Sequence, residues 1–305
     1  MKTKIRLADR IFSGLTIWSG SVILAALAAV AIFLMVQAWP ALIANPADLP
    51  NAENGFLAYV VPFVFGTIFS ALIALAIATP LAIGIGLFIS HYAPRKLAQT
   101  LGYIIDLLAA IPSVVFGLWG IQVLAPAVQP AYVWLNENLG FLPIFAGQVS
   151  GTGRTILTVS IVLAIMILPI MSAMAREIFL QTPKLHEEAA LALGATKWEM
   201  IRMAVLPFGR PGLISAAMLG LGRALGETMA VAMVLSPAAV MSFALLTSTN
   251  SNTIAANIAL NFPEASGLGV NLLIASGLVL FAITLVVNMS ARAIVNRRRE
   301  FSGAN

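Results

Sequence analysis

No cysteine occurs in this sequence, which excludes disulfides, thiolate metal sites and thiol nucleophiles. Charge is scarce as well: 10% of the 305 residues are Asp, Glu, Lys or Arg, against 60% hydrophobic residues. A soluble globular domain carries about 25% charged residues, so that class is excluded. His91 and His186 are too few to build a metal centre unaided, and no metal or cofactor is expected. No glycine is followed by lysine, so the chain has no P-loop with which to bind ATP. The H-E-x-x-H, G-x-S-x-G and S-x-x-K patterns are missing too, and with them the common hydrolase signatures. The expectation is a protein that is not an enzyme.

What remains is a series of long apolar runs with a mean hydropathy of +0.97. They read as an all-α polytopic membrane protein of six transmembrane helices. The spans are expected at about 15–39, 59–90, 101–125, 154–175, 211–236 and 268–291, with residues 15–295 as one transmembrane domain. The run from Ile11 to Ala47 is too long for a signal-peptide core of about 7–15 residues. Trp39-Pro40 is expected to end the first span, Thr79-Pro80 to kink the second and Pro112 to break the third. Residues 126–153 read as a loop with a short surface helix over Tyr132–Asn138. Residues 240–267 read as a second loop, whose apolar stretch TIAANIALNF is able to lie on or dip into the surface.

All 17 Lys and Arg except Arg154 and Arg223 fall in four segments: the N-terminus, 91–99, 176–210 and the C-terminus. By the positive-inside rule these are cytoplasmic, including both termini, 1–14 and 296–305. The net charge of +5 therefore has a topological cause and does not point to nucleic acid.

Between the fourth and fifth spans lies a polar island, Glu187–Pro207, within 182–207. Thr182 is the expected N-cap of a first short helix, with Pro183 at its first position. Leu185, Ala189, Ala192 and Leu193 then share one face, and Gly194 suits a left-handed terminating residue. Thr196 and Glu199 form a T-x-x-E capping box for a second helix, which Pro207 is expected to stop. A nucleic-acid reader would need a basic face, but Lys184, Lys197 and Arg202 are matched by Glu187, Glu188 and Glu199. A plain cytoplasmic connector and a docking knob remain. For docking, Ala189, Ala190 and Ala192 offer a low surface beside the acidic Glu187 and Glu188.

The other constellation is intramembrane: GLGRALGET, residues 220–228. Counting ~1.5 Å per residue from Pro211 places Arg223 roughly 18 Å into a hydrocarbon core of about 30 Å. Glu227 is expected one turn beyond, on the same face. Isolated charges there cost about 2.5–3.5 kcal/mol each, so the two should face the bundle interior and pair. Such a pair is either helix glue or a cationic station for a passing anion.

Two stretches resemble known families. Glu188-Ala189-Ala190, Gly194 and Ala204-Val205-Leu206-Pro207 resemble the EAA loop of ABC importer permeases, E-A-A-x3-G-x9-I-x-L-P, with Ala204 where Ile is usual. GLGRALGETMAV after that loop is similar to the phosphate-importer permeases. IPSVVFGLWG and TIAANIAL look more like their PstC type than the sister PstA type. The resemblance implies a type I-like importer permease in a bacterial plasma membrane, and Glu188, Ala189, Ala190 and Gly194 as ATPase-coupling residues. It also implies a heterodimer with a PstA-type permease, two PstB-type ATP-binding subunits, a PstS-type phosphate-binding protein outside, and inorganic phosphate as substrate. Membrane lipid is the surrounding partner and nucleic acid is not one. A secondary transporter would show an internal repeat with matched broken helices, and no second copy of GRALGE exists. A membrane scaffold would need no midplane charge.

Overall fold

A computed structural model describes residues 7–236 and 238–299, with side chains over 11–236 and 238–293. The expected terminal segments 1–14 and 296–305 thus lie partly outside the described residues, as does Pro237 of the Ser236-Pro237 boundary. No strand occurs among the described residues. A helix satisfies its backbone groups within its own segment, as a bilayer requires of a continuous apolar run of this length, and the apolar runs become helices. Among the described residues six helical stretches are long and apolar enough to cross a membrane: Ile11–Ile43, Phe56–Tyr92, Ser113–Leu139, Ile156–Leu180, Lys197–Leu225 and Leu268–Ala293. In chain order the helices are α1 (Leu7–Ile43), α2 (Phe56–Leu87), α3 (Arg95–Ala109), α4 (Ser113–Trp119), α5 (Ala125–Leu139) and α6 (Ile156–Leu180). There follow α7 (Lys184–Ala192), α8 (Lys197–Met200), α9 (Leu206–Leu225), α10 (Met229–Val234), α11 (Ile254–Asn261) and α12 (Leu268–Arg299). Single π-helical turns at Phe88–Tyr92, Gly120–Leu124 and Ile201–Val205 extend α2, join α4 to α5 and join α8 to α9.

The axis of the bundle is α6, whose Ile156, Val159, Leu163, Met166, Ile167 and Phe179 are almost fully buried. α2 lies along it through a stripe of small residues, Ala71, Ala74, Ala78, Ala82 and Gly86, all buried. Small side chains let backbones approach, so dispersion contacts hold helices that water exclusion does not drive together. At Gly86 a Cβ would lie 2.9 Å from the Ala175 Cβ and 3.0 Å from the Arg176 amide nitrogen, so only glycine fits this crossing. α1 touches the rest at its C-terminal end, where Ala38 and Ala41 pack on Leu272 and Ala275 of α12.

Two prolines expected as terminators, Pro40 and Pro207, are absorbed instead. α1 runs through Pro40 to Ile43, and the Pro40 carbonyl accepts from the Ala44 amide at 3.0 Å. Pro80 lies inside α2, and Pro207 sits in the first turn of α9, so the helical run from Lys197 continues to Leu225. A first-turn proline lacks only an amide that would be unpaired in any case. The third apolar helix is displaced from 101–125 to Ser113–Leu139. Pro112 does break the chain, but residues before it form the separate amphipathic α3. Much of the expected loop after Pro126 is helix α5, which includes Tyr132–Asn138. Tyr132 is buried, and its hydroxyl meets Thr158 Oγ1 of α6 at 2.9 Å, which fastens α5 to the axis.

The segment 238–253 forms no regular element yet is buried at Asn250, Ser251, Asn252 and Thr253. Several of its polar groups are paired within the protein, while the buried Thr247 hydroxyl has no partner. Asn250 Oδ1 accepts from the Ile156 amide at 3.1 Å, and Thr67 Oγ1 accepts from the Ile254 amide at 2.9 Å. The apolar TIAANIALNF stretch becomes α11, with Ile254, Ala255, Ala256 and Asn257 buried. It dips into the bundle because Asn257 Nδ2 finds the Tyr59 hydroxyl at 2.8 Å, leaving no buried donor unmet there.

Candidate functional site

The helical island forms at one end of the bundle. α7 begins after Pro183, and Thr182 does not cap it: the Thr182 hydroxyl is buried without a partner. Proline at the N-cap position holds an extended backbone by itself, which displaces the expected threonine cap. Gly194 adopts φ +83°, the left-handed residue that ends the first helix. The capping box at Thr196 and Glu199 is complete: the Thr196 amide donates to Glu199 Oε2 at 2.8 Å, and the Glu199 amide donates to Thr196 Oγ1 at 3.3 Å. Glu188, Ala189 and Ala192 are exposed, as are Leu185 and Leu193, so one apolar face of α7 points away from the bundle. Ala190 is the exception among the three alanines, since it is buried among Phe179, Met200, Ile201 and Val205.

A contact between distant segments ties this island to the bundle. His91, in the π turn after α2, places Nε2 3.4 Å from Glu187 Oε1 of α7. Lys197 Nζ of α8 lies 4.7 Å from the centre of the neighbouring Tyr92 ring. Sequence reading leaves His91 without a role. Its position at a span end beside an aromatic residue is the only signal, and it is weak.

The intramembrane constellation is rearranged. α9 ends at Leu225, residues 226–228 are not helical, and α10 starts at Met229. Glu227 therefore does not pair with Arg223 across one helical turn. Among the described residues the one contact within 4.0 Å between a carboxylate and a Lys, Arg or His nitrogen is His91–Glu187. Glu227 is buried, and its Oε1 accepts from the Ala230 amide at 3.1 Å, capping α10 where the helix dipole favours a negative charge. Gly226, a poor helix former, and a side chain able to cap the next segment together break the helix here.

Contacts between antiparallel helices set the depth of this break. A Cβ at Gly212 would meet Ile178 near the island end of α6, and one at Gly220 would lie 2.7 Å from Met171 Sδ near its middle. Arg223, less than a turn beyond Gly220, stands at mid-depth of the bundle. Its Nε is buried without a protein partner. Irregular backbone at such depth is tolerated only where it is buried in protein or lines a cavity. Arg223 lines one, a cleft of about 710 Å³ between α6, α9 and α12. α10 continues past the break against α4, where Gly117 and Gly120 leave room for Ala230 and Val234. Arg154 closes its far end, with Nε donating to the Val234 carbonyl and Nη2 to the Met233 carbonyl, both at 3.1 Å. That cation at a helix C-terminus explains one departure from the charge asymmetry. Arg223 is the other.

An all-α bundle with a helical knob at one end and a broken helix holding an unmatched cation at mid-depth has the form of a membrane permease. The chain belongs to the family of binding-protein-dependent transport system inner membrane components, whose model matches residues 82–300. It is 47% identical to the phosphate transport system permease protein PstC 2 of Mycobacterium tuberculosis, covering 95% of this chain and 92% of that one. With the PstC permease of Mesorhizobium japonicum it shares 38% identity over 99% of this chain and 94% of the relative. A chain of a bacterial alginate ABC transporter has the same fold at a TM-score of 0.63 and 16% identity, covering 98% and 97% of the two chains. The MetNI methionine ABC transporter aligns at a TM-score of 0.56 and 15% identity, over 79% of this chain and 96% of that one.

Proposed function

We propose that this chain is one permease subunit of an ATP-driven importer of inorganic phosphate in a bacterial plasma membrane. The observation that carries this reading is Arg223, an unmatched cation at mid-depth beside a helix break, in a chain 47% identical to a phosphate transport permease. The complex would hold a PstA-type permease, two PstB-type ATP-binding subunits and a PstS-type phosphate-binding protein. Both termini and the island face the cytoplasm in this reading, following the distribution of Lys and Arg.

Coupling starts at the exposed face of α7 around Glu188, Ala189 and Gly194, where an ATPase subunit docks. Closure of the ATPase pair moves α7 and α8. α8 runs through its π turn into α9, so the motion reaches Arg223 along one continuous helix. The His91–Glu187 contact carries the same motion into α2. Phosphate delivered from outside meets Arg223 as a transient station, because conduction needs binding weak enough to release. Glu227 leaves Arg223 available by capping α10 instead of pairing with it.

Uptake by the reconstituted complex tests the assignment. Labelled phosphate should enter only with the receptor and ATP present, and excess sulfate should compete weakly. Efficient competition by sulfate would replace phosphate with a broader oxyanion class. Failure of this chain to co-purify with an ATPase subunit would overturn the importer reading in favour of a secondary transporter or a scaffold.

A further inference from the structure

The cleft that holds Arg223 carries more cationic chemistry than a single station uses. α9 contributes Ser215, Gly222 and Arg223 to its wall, and α12 contributes Asn288 and Arg292. Positions 288 and 292 are one turn apart on one face of α12, while 215, 222 and 223 share a face of α9. Among the described residues no carboxylate lines the cleft. Two guanidiniums around one space repel each other unless an anion lies between them. The planar fork of each matches the oxygens of a phosphoryl group. One water occupies about 30 Å³, so a cleft of about 710 Å³ admits a tetrahedral oxyanion with hydration shell. α12 starts beside Ala38 and Ala41 of α1 and runs toward the island end, which puts exposed Arg292 on the island side of the cleft.

We infer that Arg292, with Asn288, forms a second anion station in this cleft, where phosphate leaving Arg223 is held before release. This rests on the phosphate-import reading above. A lipid headgroup offers the same phosphoryl oxygens. The cleft that Arg292 lines is continuous with Arg223 at mid-depth of the bundle, deeper than a headgroup sits, and this favours free phosphate.

Ser215→Cys places the only thiol of this chain in the cleft and supplies a reporter that does not depend on transport. In the assembled complex in liposomes, a neutral maleimide should label it more slowly when inorganic phosphate is added. Adding Arg292→Gln should raise the phosphate concentration needed for protection about tenfold or more, the effect of losing one charged hydrogen bond. Arg292→Lys should keep part of the protection, which separates lost charge from lost folding. In a Ser215 background, Arg292→Gln should lower phosphate uptake while receptor-stimulated ATP hydrolysis continues. Vesicles of phosphatidylcholine alone and vesicles with added phosphatidylglycerol distinguish the two sources. Equal protection in both supports free phosphate, and protection that appears only with the anionic lipid overturns it in favour of a headgroup. Labelling unaffected by phosphate, or unchanged protection in Arg292→Gln, overturns the station outright. A parent complex that imports no phosphate would defeat the import reading by itself, since protection is measured without turnover.

Discussion

His91 Nε2 lies 3.4 Å from Glu187 Oε1 and joins the end of α2 to the first turn of α7. Ser90 Oγ meets the other ring nitrogen at 2.7 Å, so the imidazole is oriented from both sides. The island is therefore held to α2 as well as being continuous with α9. His91→Ala should leave the complex assembled and reduce phosphate uptake about two- to tenfold, the range of one ordinary hydrogen bond. Uptake assays on matched amounts of complex check this, and undiminished uptake would show that motion reaches the bundle through α9 alone.

Gly194 has φ +83° and open space where a side chain would go, so a substitution there meets backbone strain and no collision. Gly194→Val should cost about 1–2 kcal/mol in the left-handed conformation and tilt α7 against α8. Receptor-stimulated ATP hydrolysis and uptake should fall together with normal membrane insertion. Gly194→Asn, which tolerates that conformation, should retain most of both. Equal activity in the two variants would rule out a rigid turn.

Arg223 and Glu227 occupy neighbouring positions but serve different partners. Their substitutions should therefore be additive, within the roughly 0.3–0.5 kcal/mol expected of independent sites. Arg223→Gln should abolish most uptake with assembly intact. Glu227→Ala should lose the α10 cap, about 0.5–2 kcal/mol, and show mainly as reduced thermal stability of the complex. The exchange Arg223→Glu with Glu227→Arg should restore neither, since arginine cannot accept the Ala230 amide. Recovery of stability in the exchanged protein would mean that the two side chains do pair.

The proposed orientation is open to thiol labelling in a chain that has no native cysteine. Asn51→Cys, Asn138→Cys and Ser248→Cys, all at exposed positions, should react with an impermeant reagent added outside intact cells. Lys96→Cys and Lys197→Cys should react only after permeabilisation. Asn250 is fully buried and unsuitable as a reporter. Labelling of Lys197→Cys in sealed cells would reverse the topology.

What the sequence determined by itself is what depends on a few consecutive residues or on summed composition. The apolar runs demand helices, because a continuous stretch of about 20 apolar residues fits a spanning helix, whereas a barrel strand needs only about 9–11. Gly194 and the Thr196–Glu199 box act over two to four residues, and both take their expected conformations. Tertiary structure decided the rest. Pro40 and Pro207 look like stops when read locally, yet the helical run continues past both. Regular periodicity puts Glu227 one turn above Arg223. The observed break needs the Ala230 amide for the carboxylate, room for α10 beside Gly117 and Gly120, and Arg154 at its far end. His91 and Glu187 are 96 positions apart, and their contact exists only because α2 and α7 end at the same side of α6. A helix end has several partners of similar energy within reach of its own sequence. Which one it takes is settled by the chain segments that the fold brings beside it.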